Sequence, residues 1–187
     1  MKKVLVTGAT GYIALHCIQQ LLDKGYAVNG SIRSPERKNE IIHALKNSNT
    51  STENLNLFTF NLTSDDGWDA GMEGCDYVLH VASPLALENH TEDYFVKPAV
   101  EGAMRALKFA KKHNVKKVVL TSSVAAIFET GIEKVDYDEN DWSDPDNPKI
   151  SNYAKSKTLA VIAAWDFLDQ EDNQFEFAVI NPALVIG

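Results

Sequence analysis

Short runs rich in β-branched residues alternate with longer helix-periodic stretches along the whole chain, and this alternation constrains the fold more than any other feature. Parallel strands need a crossover long enough to hold a helix, so repeated strand–helix–strand order predicts one parallel sheet with helices on both faces. Six strands are expected, near 3–7, 26–32, 55–60, 76–81, 116–121 and 175–180. Helices are expected near 11–24, 35–46, 92–113 and 150–170, with a weaker one at 65–72. The helix at 150–170 has the clearest start: Pro148 precedes it, Ser151 and Asn152 are candidate caps, and Leu159, Ile162, Ala163, Trp165 and Phe167 recur at helical spacing. The fold class is therefore α/β, with a doubly wound sheet.

A chain of 187 residues, 44% hydrophobic and 24% charged, can bury one ordinary core, which excludes disorder, collagen-like repeats and disulfide scaffolds. Its two cysteines, Cys17 and Cys75, read as small buried hydrophobes in a reducing, cytoplasmic setting. Met1-Lys2-Lys3 imitates the basic start of a leader, but Gly8 and Gly11 interrupt the apolar run behind it. No stretch reaches the ~18 apolar residues of a membrane span. The net charge of −8 argues against nucleic acid and anionic membrane as partners. Most of that charge is local, because residues 133–146 hold Glu133, Asp136, Asp138, Glu139, Asp141, Asp144 and Asp146 against Lys134 alone.

The first strand runs into Gly8-Ala9-Thr10-Gly11-Tyr12-Ile13-Ala14, and a helix follows. This is where a dinucleotide fingerprint sits in a Rossmann βαβ unit. Gly8 permits the sharp turn, Gly11 permits close backbone approach to a pyrophosphate, and small Ala14 permits helix–sheet packing; the helix N-terminus offers N–H groups to the phosphates. An NAD site places Asp or Glu at the end of strand two, about 20 residues on, to hold the ribose 2′-OH. This chain reads Ile32-Arg33-Ser34-Pro35-Glu36-Arg37 there. An arginine matches a 2′-phosphate bidentately, so the expected cofactor is NADP(H), held first by Arg33 and second by Arg37.

Tyr153 and Lys157 lie four residues apart on a helix and so share one face. An ammonium about 4 Å from a phenol, at an effective dielectric of ~20, favours the phenolate by about 4 kcal/mol. That suits the phenol to donate a proton near neutral pH. Thr121-Ser122-Ser123 closes strand five at the carboxyl edge of the sheet, where doubly wound folds bind ligands. A hydroxyl there can hydrogen-bond a carbonyl oxygen.

Together these motifs resemble the extended short-chain dehydrogenase/reductases, in the branch of dihydroflavonol, cinnamoyl-CoA and methylglyoxal or aldehyde reductases. The resemblance runs through Gly30-Ser31-Ile32-Arg33-Ser34, His80-Val81-Ala82-Ser83-Pro84, Thr121-Ser122-Ser123-Val124-Ala125-Ala126, Tyr137 to Asp144, Tyr153-Ala154-Lys155-Ser156-Lys157 and Asn181-Pro182. It implies an NADPH-dependent carbonyl reductase acting on a small aldehyde or ketone, as a monomer or homodimer. Tyr153 becomes the proton donor, Lys157 the binder of the nicotinamide ribose, and Ser123, in preference to Ser122, the carbonyl orienter. The same resemblance puts Val81, Ala82 and Ser83 beside the nicotinamide ribose and Pro182 near the nicotinamide. Asn61, with Leu62 next to it, stands where many members have an Asp that bonds adenine, and its side-chain carbonyl is expected to accept in the Asp's place. It further implies that residues 1–187 are an NAD(P)-binding domain whose substrate lobe follows Gly187, so that this length of chain binds NADPH weakly or moderately and turns over little.

Two other readings stand beside it: a sugar-nucleotide epimerase or dehydratase of the same superfamily, disfavoured by Arg33, and a non-catalytic NADP-sensing module, disfavoured by intact Ser123, Tyr153 and Lys157. No metal is expected. Asp136, Asp138 and Asn140 imitate a calcium loop, but Asp141 occupies its obligatory glycine position and Asn147 that of its bidentate Glu. His80 reads as structural, and Trp142 as either a lining of the substrate mouth or a loop anchor.

Overall fold

The computed structural model describes residues 1–85, 90–129, 134–170 and 172–186. Six strands, β1 (Lys3–Val6), β2 (Ala27–Ile32), β3 (Leu55–Thr59), β4 (Tyr77–His80), β5 (Lys117–Thr121) and β6 (Glu176–Ile180), form one sheet in the order β3-β2-β1-β4-β5-β6. Every neighbouring pair is parallel. The crossovers carry α1 (Tyr12–Asp23), α2 (Lys38–Asn47), α3 (Trp68–Met72), α4 (Glu92–Lys112), α5 (Ala125–Phe128) and α6 (Asn152–Gln170). The expected Rossmann architecture is thus the observed one.

Side-chain alternation along the strands divides the core between the two faces. Val4 and Val6 of β1 pack with Val28 and Ile32 of β2 against Ala14, Ile18, Ile41 and Leu45 of α1 and α2. Leu5, between them, joins Val78, Val118 and Leu120 on the other face, beneath α3, α4 and α6. Ala99, Ala103 and Ala106 of α4 and Ala160 and Ala164 of α6 are small enough to let those two helices lie close over the sheet. Trp68 anchors the short α3: it is fully buried, stacks on Phe109, lies tilted against Phe60, and donates its indole N–H to the Asn61 backbone carbonyl at 2.9 Å.

Differences from the expected elements have local causes. Pro35 opens a 3₁₀ turn, Pro35–Arg37, before α2 proper begins. The 65–72 helix is cut to five residues because Gly67 adopts a left-handed φ of 82°. The four-residue α5 was not foreseen; four residues carry too little periodicity to register. Cys17 and Cys75 are free thiols, half-buried and buried, and burial pushes Cys75 up to about 11. No described helix is long and apolar enough to cross a membrane. Of the acidic segment, Glu133 lies outside the described residues. Trp142 within it is 37% exposed, while the adjacent Ser143 is fully buried, its hydroxyl donating to the Ala125 carbonyl at 2.7 Å and accepting from the Glu129 N–H at 2.8 Å.

Candidate functional site

The candidate residues gather along the carboxyl ends of β1, β4 and β5 because a parallel sheet delivers every strand's end to the same edge. At β1 the chain leaves through Gly8, with φ 73°, a conformation that costs an L-residue about 1–2 kcal/mol. A Cβ there would also stand 3.0 Å from that of Ala82, so the glycine lets the β1 and β4 exits touch. Gly11 caps α1 without a side chain, and the first helical N–H groups receive no side-chain cap. A Cβ on Gly11 would meet only the Gly8 carbonyl, at 3.2 Å. An open helix start with unused donors fits a pyrophosphate. Ala9 and Ala14 are buried in the packing behind it, while Thr10 and Ile13 are half-buried and Gly11 and Tyr12 exposed.

Two residues to which sequence spacing gave no role, Ser31 and Thr7, hold this turn together with His80. Ser31 accepts the Gly8 N–H on its hydroxyl at 2.9 Å, and its carbonyl accepts the Ala9 N–H at 2.8 Å. Thr7 is fully buried, and its hydroxyl oxygen accepts the N–H groups of both Val81 and Ala82 at 3.0 Å. With its lone pairs used, its hydrogen goes to His80 Nδ1, 3.0 Å away, which leaves the ring proton on Nε2. Burial pushes His80 down to about 3, so the ring is neutral. The structural role expected of His80 is the one it plays. Nothing but the tertiary pairing of β1 with β4 brings these groups together, as they are 73 residues apart.

Beyond β2, Arg33 is exposed and makes no hydrogen bond or ion pair among the described residues. Arg37 is held by Glu40, with its Nε and Nη2 donating to one carboxylate oxygen at 3.0 and 2.8 Å. The two arginines expected to act together therefore differ: one guanidinium is available and the other has a competitor. At the end of β3, Asn61 is exposed and Leu62 half-buried. The Asn61 side-chain carbonyl (Oδ1) on which the sequence expectation relied already accepts the Thr63 N–H at 2.8 Å and the Thr63 hydroxyl at 3.1 Å.

The reactive side chains meet between β4, β5 and α6. Ser151 caps α6, its hydroxyl accepting the Ala154 N–H at 3.1 Å, and is itself tied to the Glu129 carboxylate. The first turn so fixed carries Tyr153, half-buried, its ring edge-on to Phe95 at 6.4 Å. Lys157 is 5% exposed, and its Nζ donates to the Thr121 carbonyl at 3.3 Å and lies 5.6 Å from the Tyr153 ring centroid. Burial pushes this lysine down to about 8. Desolvation thus opposes the charge on which the Tyr–Lys argument depends, a cost invisible in an i, i+4 spacing.

Ser123 accepts the Ala125 N–H at 3.2 Å, which keeps its own hydrogen available to a carbonyl. The Ser83 and Ser122 hydroxyls are buried with no partner among the described residues. They line, with His80 and Lys157, a cavity of about 10 Å³. Pro182 is drawn into the site by its carbonyl, which accepts the Val124 N–H at 3.0 Å.

The sequence profile of the NAD dependent epimerase/dehydratase family matches residues 4–187. The chain belongs to that family. Within it, the chain falls in the extended short-chain dehydrogenase/reductase branch, as the motifs implied. It is 38% identical to a cinnamoyl-CoA reductase of Medicago truncatula over 98% of its own length and 58% of that protein's. With a dihydroflavonol 4-reductase of Arabidopsis thaliana it shares 37% identity over 98% of its length and 49% of the relative's. Its fold superposes on yeast methylglyoxal/isovaleraldehyde reductase complexed with NADPH at a TM-score of 0.83 and 29% identity, covering 97% of this chain and 57% of that one. This family member therefore spans about half the length of the relatives it matches.

Proposed function

We propose that the chain is the cofactor-binding and proton-donating part of an NADPH-dependent reductase of aldehydes or ketones. The observation that carries this reading is Lys157 set beside the Tyr153 ring and the Thr121 carbonyl, two residues before Ser123, at the carboxyl edge that also bears the open glycine turn. The turn and the start of α1 hold the pyrophosphate, and Arg33 takes the 2′-phosphate. Lys157, Val81, Ala82 and Ser83 face the nicotinamide ribose. Ser123 donates its hydroxyl hydrogen to the substrate carbonyl, and Tyr153 Oη delivers the proton to the same oxygen. The nicotinamide, when bound, supplies the hydride.

Tyr153→Phe is expected to lower turnover by about 10²–10⁴-fold while leaving NADPH affinity within about tenfold, since the lost hydroxyl contributes at most one hydrogen bond. Retained turnover overturns the role. Arg33→Ala is expected to weaken NADPH much more than NADH, as followed by cofactor fluorescence. Equal losses for both overturn the 2′-phosphate role and favour an NAD-dependent epimerase or dehydratase.

A further inference from the structure

Tyr153 lies in the first turn of α6, where the N–H groups have no partners within the helix and depend on a cap. Ser151 is that cap. Its carbonyl accepts the Lys155 N–H at 2.9 Å and its hydroxyl accepts the Ala154 N–H at 3.1 Å, which puts Tyr153 at the second helical position and Ala154 at the third. A closed capping box has Glu or Gln at the third position, whose side chain reaches back to the N–H of the cap residue. Ala154 has no group that can do so. The Ser151 N–H is instead taken at 3.0 Å by one carboxylate oxygen of Glu129, 22 residues earlier, while the other oxygen accepts the Ser151 hydroxyl at 3.1 Å. The box is completed from a different segment.

That segment starts at Ser123. Ser123 takes the Ala125 N–H on its hydroxyl and the Ala126 N–H on its carbonyl, α5 follows, and Glu129 is the first residue after it. The Glu129 backbone is held without its side chain: its N–H donates to the Ser143 hydroxyl at 2.8 Å, and its carbonyl accepts the Asp144 N–H at 3.3 Å. Ser143, fully buried, also bonds the carbonyls of Ala125 and Ala126. The carboxylate is thus an arm on a fixed base that joins the Ser123 segment to the turn of Tyr153. The other ties of α6 lead elsewhere. The Asn152 amide donates to the His90 carbonyl and Lys155 pairs with Glu92, which fasten α6 to the start of α4. Lys157 holds the Thr121 carbonyl, one turn beyond Tyr153.

Resting on the proton-donor reading proposed above, we infer that Glu129 is a positioning residue of the reductase: its carboxylate sets Tyr153 Oη against the Ser123 hydroxyl, the two groups that must meet on one carbonyl oxygen. Without that carboxylate the first turn of α6 is free to shift about Lys157. Alignment for proton transfer is lost, while Lys157 and the glycine turn keep their places. Both Glu129 bonds are solvent-exposed, so their loss opens this turn locally and leaves the global fold standing.

The test is NADPH oxidation by the chain at saturating propanal, with cofactor affinity followed by nicotinamide fluorescence and stability by urea unfolding. Glu129→Ala is expected to lower turnover by about tenfold to a hundredfold, the effect of a small misplacement of a reacting group, with NADPH affinity and the urea midpoint unchanged. Glu129→Gln keeps a carbonyl acceptor for the Ser151 N–H and is expected to recover most of that loss. Unchanged turnover in Glu129→Ala, equal losses in the Ala and Gln variants, or a parallel loss of NADPH affinity or of the fold overturns the inference and leaves the Tyr153 role standing. Unchanged turnover in Tyr153→Phe, or no turnover by the unmodified chain, overturns the proton-donor reading and the inference with it.

Discussion

On the β3-β2-β1 side, the groups that a ligand would meet are backbone N–H groups and exposed side chains such as Arg33 and Asn61. On the β4-β5-β6 side they include buried side chains: His80, Ser122, Lys157 and Ser123 are 2, 5, 5 and 8% exposed. The first half needs a backbone shape, which glycines supply with no buried charge. The second needs polar side chains taken out of water, and each of those is costly unless it is paired. Binding on the first side can therefore vary with little effect on stability, whereas chemistry on the second is coupled to the stability of the fold. Thr7 is the seam, since it follows β1 directly and bonds the end of β4 and the residues just after it.

Removing the seam has the largest expected effect. Thr7→Val preserves shape but orphans the Val81 and Ala82 N–H groups and His80 Nδ1. It is expected to cost about 3–5 kcal/mol, measured by urea unfolding. A loss below about 1 kcal/mol, the size of one ordinary hydrogen bond, would dissolve the distinction between the halves.

The pH dependence of stability tests the buried side directly. His80 is pushed from 6.5 down to about 3, so the fold favours its neutral form; the associated stability is present above pH 6.5 and is lost as pH falls toward 3. Between about pH 6.5 and 4, before most carboxylates titrate, the loss is expected to be on the order of 2 kcal/mol. A flat stability curve across that window contradicts it. Lys157, lowered from 10.5 to about 8 by burial, works in the alkaline range. The fold holds fewer protons at this group than the unfolded chain does, so its contribution to stability rises as pH climbs from 8 to 10.5, opposed above pH 9 by the raised Cys75 thiol, and Lys157→Met is expected to make stability fall, relative to the unmodified chain, as pH climbs through 9.

The smallest effect belongs to the exposed side. Arg37→Ala breaks only the solvent-exposed pair with Glu40 and is expected to change stability by less than about 0.5 kcal/mol. Its effect on NADPH affinity should be smaller than that of Arg33→Ala. A larger effect at Arg37 would mean that cofactor phosphate outcompetes Glu40.

The sheet, its helices and the glycine turn were legible because each rests on local periodicity and spacing: alternation across Val4, Leu5 and Val6, and small residues at 8, 11 and 14 in β1–α1. Tyr153 and Lys157 were legible for the same reason, as neighbours one turn apart. What no window of sequence carries is the environment of those residues. The long-range bonds of Thr7 to β4, the capture of the Gly8 N–H by Ser31 and the burial of Lys157 against the Thr121 carbonyl join distant positions. The Asn61 case is subtler, since residues 61 and 63 are near neighbours, yet only the folded backbone decides which end of the amide turns inward. Sequence alone determined which residue types reach the carboxyl edge of the sheet. Tertiary structure decided which of their donors and acceptors are already used, because hydrogen-bond saturation and desolvation depend on what packs around a group and not on its place in the chain.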